Sequence, residues 1–133
     1  MIDVRSVLAV SIGSAIGGSC RYLVGVWFVQ RFGPGFPLGT LFINVSGSLL
    51  IGFVAELAQT RAFGVTPFVR IALATGLIGG YTTFSSYIFE AVTLGGEGRR
   101  WMAVLYALGS IVLGVAAFLA GTIAARLLTR TVT

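Results

Sequence analysis

The chain has no histidine, no lysine and a single cysteine, Cys20, among its 133 residues. Without histidine there is no Ser-His-Asp triad and no Cys/His zinc site. One thiol cannot close a disulfide within the chain, so Cys20 is read as a small packing residue in a helix. Charge is scarce as well. Four acidic residues and nine arginines make up 10% of the chain, against about 25% in an ordinary soluble domain. That deficit excludes a soluble globular protein. What fills the space is apolar, with 56% hydrophobic residues and a mean hydropathy of +0.98. The expected class is an all-α integral membrane protein. In a soluble chain a pI of 10.4 would point to nucleic acid. Here the arginines flank apolar runs, so they are read as anchors to lipid headgroups, and no nucleic-acid partner is expected. No nucleophile–base pair or metal cluster is available either, so an enzyme is not expected.

Four apolar runs, at about residues 7–29, 38–57, 68–92 and 101–125, predict four transmembrane helices in one domain spanning 1–133. The first is interrupted by Arg21, resumes directly after it, and is read as a retained span rather than a cleaved leader. Gln59-Thr60-Arg61 closes the second run, and Gly95-Gly96-Glu97-Gly98 turns the chain into the fourth. Loops this short join antiparallel neighbours in an up-down bundle. With four spans, Arg5, Arg61, Arg70, Arg126 and Arg130 fall on one side and Arg31, Arg99 and Arg100 on the other. Such a weak asymmetry fits two arrangements, insertion both ways round or a single orientation with cytoplasmic termini. Gly13/Gly17, Ser48/Gly52 and Ser110/Gly114 are small-residue pairs that let helix backbones approach. Four helices make a thin bundle, and association between chains is the expected consequence.

The chain is organised around residues 76–87, inside a charge-free stretch from 71 to 89. Gly79 and Gly80 weaken the helix there, and Thr82 and Thr83 offer side-chain bonds that compete with the backbone ladder. A break predicts exposed carbonyls, suited to a cation, beside a polar conduit. The bland alternative is a helix–helix contact through Gly76 and Gly80. Arg21 is a mid-span charge, either functional or snorkelling toward water. Glu56 and Glu90 lie near span ends and are assigned to a mouth or an interface.

On the second span Thr40, Asn44 and Ser48 recur every four residues, forming one polar stripe. Asn44 brings two amide donors, for a ligand or for an interhelical bond. Tyr106, Ser110 and Gly114 repeat that spacing on the fourth span. Phe84 and Tyr87, three apart, share a helical face and can offer positive ring edges to a small anion or simply pack.

Together these stretches resemble a known family. Gly76-x-x-Gly79-Gly80-x-Thr82-Thr83-Phe84-Ser85 is similar to the third-helix motif of the Fluc (CrcB-type) fluoride channels. Gly39-Thr40-Leu41-Phe42-Ile43-Asn44-Val45-Ser46-Gly47 resembles their second-helix signature, and Gly17-Gly18-Ser19-Cys20-Arg21-Tyr22 their first-helix Gly-Gly-x-x-Arg-Tyr. The resemblance implies a fluoride-selective passive channel that exports cytoplasmic fluoride across the bacterial plasma (inner) membrane. It implies an antiparallel, dual-topology homodimer with a third helix broken near its middle, two pores and a central structural sodium ion. By the same resemblance the carbonyls of Gly79 and Thr82 hold the sodium. Asn44, Phe84, Tyr87, Thr83, Ser85, Tyr106 and Ser110 line the fluoride path, and Arg21 stands near a vestibule. One position departs from the pattern: the family has a second phenylalanine where this chain has Tyr87, placing a hydroxyl where the family offers a ring edge. The runner-up is a small dual-topology, proton-coupled multidrug exporter of organic cations. That mechanism needs an acid deep in the first span, which holds Arg21 and no acid. A structural membrane subunit would account for the glycines but not for the aligned polar stripes.

Overall fold

Asp3 starts the first helix. Its carboxylate accepts from the Arg5 backbone N–H (3.1 Å) and the Ser6 hydroxyl (2.8 Å), and these bonds hold its carboxyl below the ordinary carboxylate range, Ser6 contributing most. In this computed structural model, which describes residues 3–60 and 62–130, α1 then runs Val4–Phe32 and stops at Gly33, whose φ of 78° needs glycine. The connection through Pro34 and Pro37 leads into α2, Leu38–Gln59. Arg61, counted above among the loop charges, lies outside the described residues. A 3₁₀ turn at Ala62–Gly64 and a Thr66 cap on the Val69 N–H introduce the next helical segment.

That segment, α3, covers residues 67–81. It begins in ordinary α geometry over Pro67–Arg70, widens to π-type winding over Ile71–Ile78, and returns to α over Gly79–Tyr81. Thr82 (φ −82°, ψ 160°) and Thr83 (φ −151°, ψ 121°) are extended. Helix α4 follows over Phe84–Gly96, and α5, Arg100–Arg130, ends the described chain. Every regular element among the described residues is helical.

Two seams hold these helices together. In the first, Gly13 and Gly17 of α1 sit on the backbone of Leu77 and Tyr81, while a Cβ built on Gly80 would lie 2.6 Å from Ser14 Cα. In the second, Gly52 of α2 faces the Phe118 carbonyl of α5, Gly121 faces the Leu49 carbonyl, and Gly114 lies against Ser48. The small residues expected to serve association are thus largely used inside one chain, because close approach of backbones is what seats α1 on α3 and α2 on α5. Near the end of the second seam the buried Glu56 accepts from Arg126 Nε at 2.9 Å.

The interior proper is small: Tyr87, Leu94 and Tyr106, with Phe36, Leu41, Ala91, Ala103 and Ala107 against them. Many large apolar side chains face outward instead, among them Leu105, Val112, Phe84 and Phe89. Three helices, Val4–Phe32, Leu38–Gln59 and Arg100–Arg130, are long and apolar enough to cross a membrane. An apolar exterior on helices of that length identifies an all-helical membrane protein.

Candidate functional site

The break between α3 and α4 has a specific partner. Asn44 Nδ2 donates to the Thr83 carbonyl (2.9 Å), and Asn44 Oδ1 accepts from the Thr83 N–H (2.9 Å). An amide side chain thereby mimics a peptide group and satisfies both ends of an extended residue that is itself buried. Thr82 still belongs to the preceding helix, its N–H and hydroxyl both donating to the Ile78 carbonyl. Its methyl fills the space that Gly47 leaves on α2.

Two consequences follow for the backbone. In a continuous helix Gly79 O would accept from Thr83 N–H and Thr82 O from Ser86 N–H. Those donors go instead to Asn44 Oδ1 and Thr83 Oγ1, which frees both carbonyls from the ladder. Thr82 O receives one long contact, from Arg21 Nη1 at 3.4 Å. On the other side of the break, α4 begins with its positive dipole end beside Asn44. The gap therefore has freed oxygens on the α3 side and the positive end of the α4 dipole on the other, the second of which the residues alone did not reveal.

Beside the break lies a groove of about 250 Å³ lined by Asn44, Ser48, Thr83, Phe84, Tyr87, Ser110 and Ile111. It draws α2, α4 and α5 together and contains no carboxylate. Ser110 Oγ is buried here without a hydrogen-bond partner. Phe84 and Tyr87 stand 5.7 Å apart, centroid to centroid, with their planes at 42°. Phe84 is 75% exposed and Tyr87 only 7%. The Tyr87 hydroxyl donates to the Ala107 carbonyl at 2.8 Å. Thr83 contributes its wall, but its hydroxyl is engaged as the α4 cap, accepting from Ser86 N–H and donating to Ser86 Oγ (3.1 Å).

Two of the residues expected to line the path stand outside this groove. Ser85 is exposed on α4, 3.4 Å from Thr83 Oγ1. Tyr106, 1% exposed, packs between Tyr87 and Phe36. Its hydroxyl donates to Glu90 Oε2 at 2.7 Å, while Thr40 donates to Oε1 at 2.7 Å. Glu90, assigned from its position to a mouth or interface, is thus a half-buried carboxylate tied to both polar stripes. The signal was present in its spacing: Glu90 follows Tyr87 by three residues and so shares its face. A second, open cavity of about 660 Å³ contains Arg21 together with Thr40, Thr83, Ser86 and Glu90. The break, the carboxylate and the half-buried guanidinium therefore border one open space.

Comparison with known proteins places this arrangement. A family model described as CrcB-like protein, Camphor Resistance (CrcB), matches residues 8–122. The chain belongs to the CrcB (Fluc) family. Among curated members, the "Fluoride-specific ion channel FluC" of Rhizobium meliloti (strain 1021) is 46% identical over 115 residues, covering 86% of this chain and 91% of its own. The protein of the same name from Roseiflexus sp. (strain RS-1) is 47% identical over 123 residues, covering 92% and 98%. The span matched to the CrcB model takes in every residue of the groove, the break and the Glu90 cluster. This CrcB chain is accordingly a multi-pass membrane protein.

Proposed function

We propose that the chain is a fluoride-selective passive channel that lets cytoplasmic fluoride leave across the bacterial plasma membrane. The observation that carries this reading is the groove in which an unpartnered Ser110 hydroxyl, the Asn44 amide and two aromatic rings converge at the start of α4. Fluoride is small and tightly hydrated, so a path for it must replace water with hydrogen-bond donors and stay narrow. Hydroxyl, amide and ring edges supply that without a fixed full charge that would bind too tightly to release. The positive end of α4 adds a favourable field for an anion. Direction needs no machinery: a negative interior drives anions outward by about 2.3 kcal/mol per unit charge for each 100 mV. Arg21, in the open cavity, would raise the local anion concentration before entry.

The working unit in this reading is an antiparallel homodimer with residues 67–96 as one interrupted span. Gly79, Phe84 and Ser85 are exposed near the break, and a groove walled by a largely exposed Phe84 is left open without a second copy. The freed carbonyls of Gly79 and Thr82 fit a sodium ion, because a hard cation takes neutral oxygens, and no cluster of acidic or sulfur ligands competes for it among the described residues. Two oxygens from each subunit of a pair would hold it, and its charge would pin the two breaks together. The Arg21 contact on Thr82 O supplies positive charge to the same oxygen, so sodium and Arg21 would share it. The organic-cation exporter draws no support, since α1 carries Arg21 where a proton-coupled carboxylate would be needed.

The test is anion efflux from liposomes, with fluoride and chloride electrodes side by side and the potential clamped by valinomycin. Rapid fluoride release with negligible chloride release is expected. Ser110→Ala should slow it roughly tenfold or more, the loss of one hydrogen bond to an anion. Silence for both ions in wild-type protein would reject the channel.

A further inference from the structure

The hydroxyl of Tyr87, a residue of the groove wall, is bonded to the main chain of α5. We propose that Tyr87 is a positioning residue: its hydroxyl latches α4 to the α5 backbone, so that only the ring, and not the O–H, is presented to the permeating ion. The proposal rests on the channel reading for its effect on flux, but the latch itself is a matter of geometry.

The phenol donates to Ala107 O at 2.8 Å. Within the continuous helix α5 that carbonyl also accepts the N–H of Ile111, and its second lone pair is free for a further donor. Ala107 precedes Ser110 by three residues, so the latch sits on the same face of α5, about one turn from the unpartnered hydroxyl in the groove. The Tyr87 ring is fixed at three places: by the hydroxyl at its tip, by Tyr106 at 5.4 Å with an interplanar angle of 54°, and by Phe84 at 5.7 Å. A ring held so firmly offers a constant aspect to the groove. A free phenol O–H there would be the strongest neutral donor in the path and would tend to trap fluoride. Bound to the Ala107 carbonyl, it is withheld, because releasing it would leave the hydroxyl of a buried tyrosine unpaired. Donor strength is thus kept at Ser110 and Asn44, and geometry is kept at Tyr87.

The experiment compares wild type, Tyr87→Phe and Tyr87→4-aminophenylalanine as purified dimers in liposomes, paired with Raman spectra of the tyrosine ring doublet. The wild-type-minus-Tyr87→Phe difference spectrum is expected to report a strongly donating phenol, unchanged when fluoride is added. Tyr87→Phe should keep the half-saturating fluoride concentration and the preference over chloride while maximal flux falls a few-fold. The amino variant, which restores a donor at the ring tip, should recover it. A doublet that shifts with fluoride, a higher half-saturating concentration in Tyr87→Phe, or unaltered flux in that variant would overturn the proposal. Wild-type protein that carries no fluoride would reject the channel reading instead, and the fluoride-free spectrum would still decide the latch.

Discussion

At the scale of the residue, Asn44 and Ser110 face the same groove with opposite obligations. Asn44 is bonded at both ends to Thr83, whereas Ser110 Oγ is bonded to nothing. Asn44→Ala strips two partners from the backbone of a buried threonine and should lower stability by about 2–4 kcal/mol as well as abolishing flux. Ser110→Ala should slow flux without lowering the unfolding temperature, since no protein bond is lost. Thermal unfolding of the purified protein, read beside the efflux assay, separates the two. Spacing alone revealed the stripe of Thr40, Asn44 and Ser48, because positions four apart share a helical face. The partner of Asn44 was not legible, since it is a main-chain group 39 residues away. Glu90 was missed for a related reason: a carboxylate near a span end reads as solvated until Thr40 and Tyr106 are seen closing on it.

At the scale of the element, the glycines carry the packing. A Cβ on Gly17 would drive into the Leu77 carbonyl and approach Tyr81 N at 2.7 Å, and neither is a side chain that can swing away. Gly17→Ala should therefore cost about 1–3 kcal/mol by overpacking. Gly96→Ala, which meets nothing within 4 Å, should be close to neutral; the yield of folded protein from parallel preparations checks both. The α2–α5 seam can be tested at its charged end. Arg126 is 59% exposed in its side chain while Glu56 is only 10% exposed. Arg126→Ala strands a buried carboxylate and should cost about 1–3 kcal/mol, of which adding Glu56→Gln restores part, measured as a double-mutant cycle. The long apolar helices were readable from composition, and the weak point at Gly79–Gly80 from propensity. The π-type widening over Ile71–Ile78 was not. Its sequence, Ile-Ala-Leu-Ala-Thr-Gly-Leu-Ile, is ordinary helix material and carries no local signal for the extra width.

At the scale of the whole molecule, little is buried and much apolar surface faces outward, as suits a chain surrounded by lipid. The nearly even distribution of arginines fits insertion in both orientations. In a Cys20→Ser background, a cysteine placed at Glu97, on the exposed turn between α4 and α5, should react from either side of the membrane. A membrane-impermeant maleimide is expected to label roughly half of the chains from outside intact cells, and complete or absent labelling would exclude dual topology. The membrane class was legible because charge scarcity is a property of the entire chain. Small-residue pairs read equally well as contacts within or between chains, and Gly13, Gly17, Gly52 and Gly121 are used within one.

The pairing of Asn44 with Thr83 has a consequence for heredity. Because one side chain both satisfies the break and lines the groove, a substitution at Asn44 weakens the fold and alters the groove together. In the channel proposed above, a variant at this position that altered anion selectivity would therefore also be a less stable protein, and the two traits would be inherited as one.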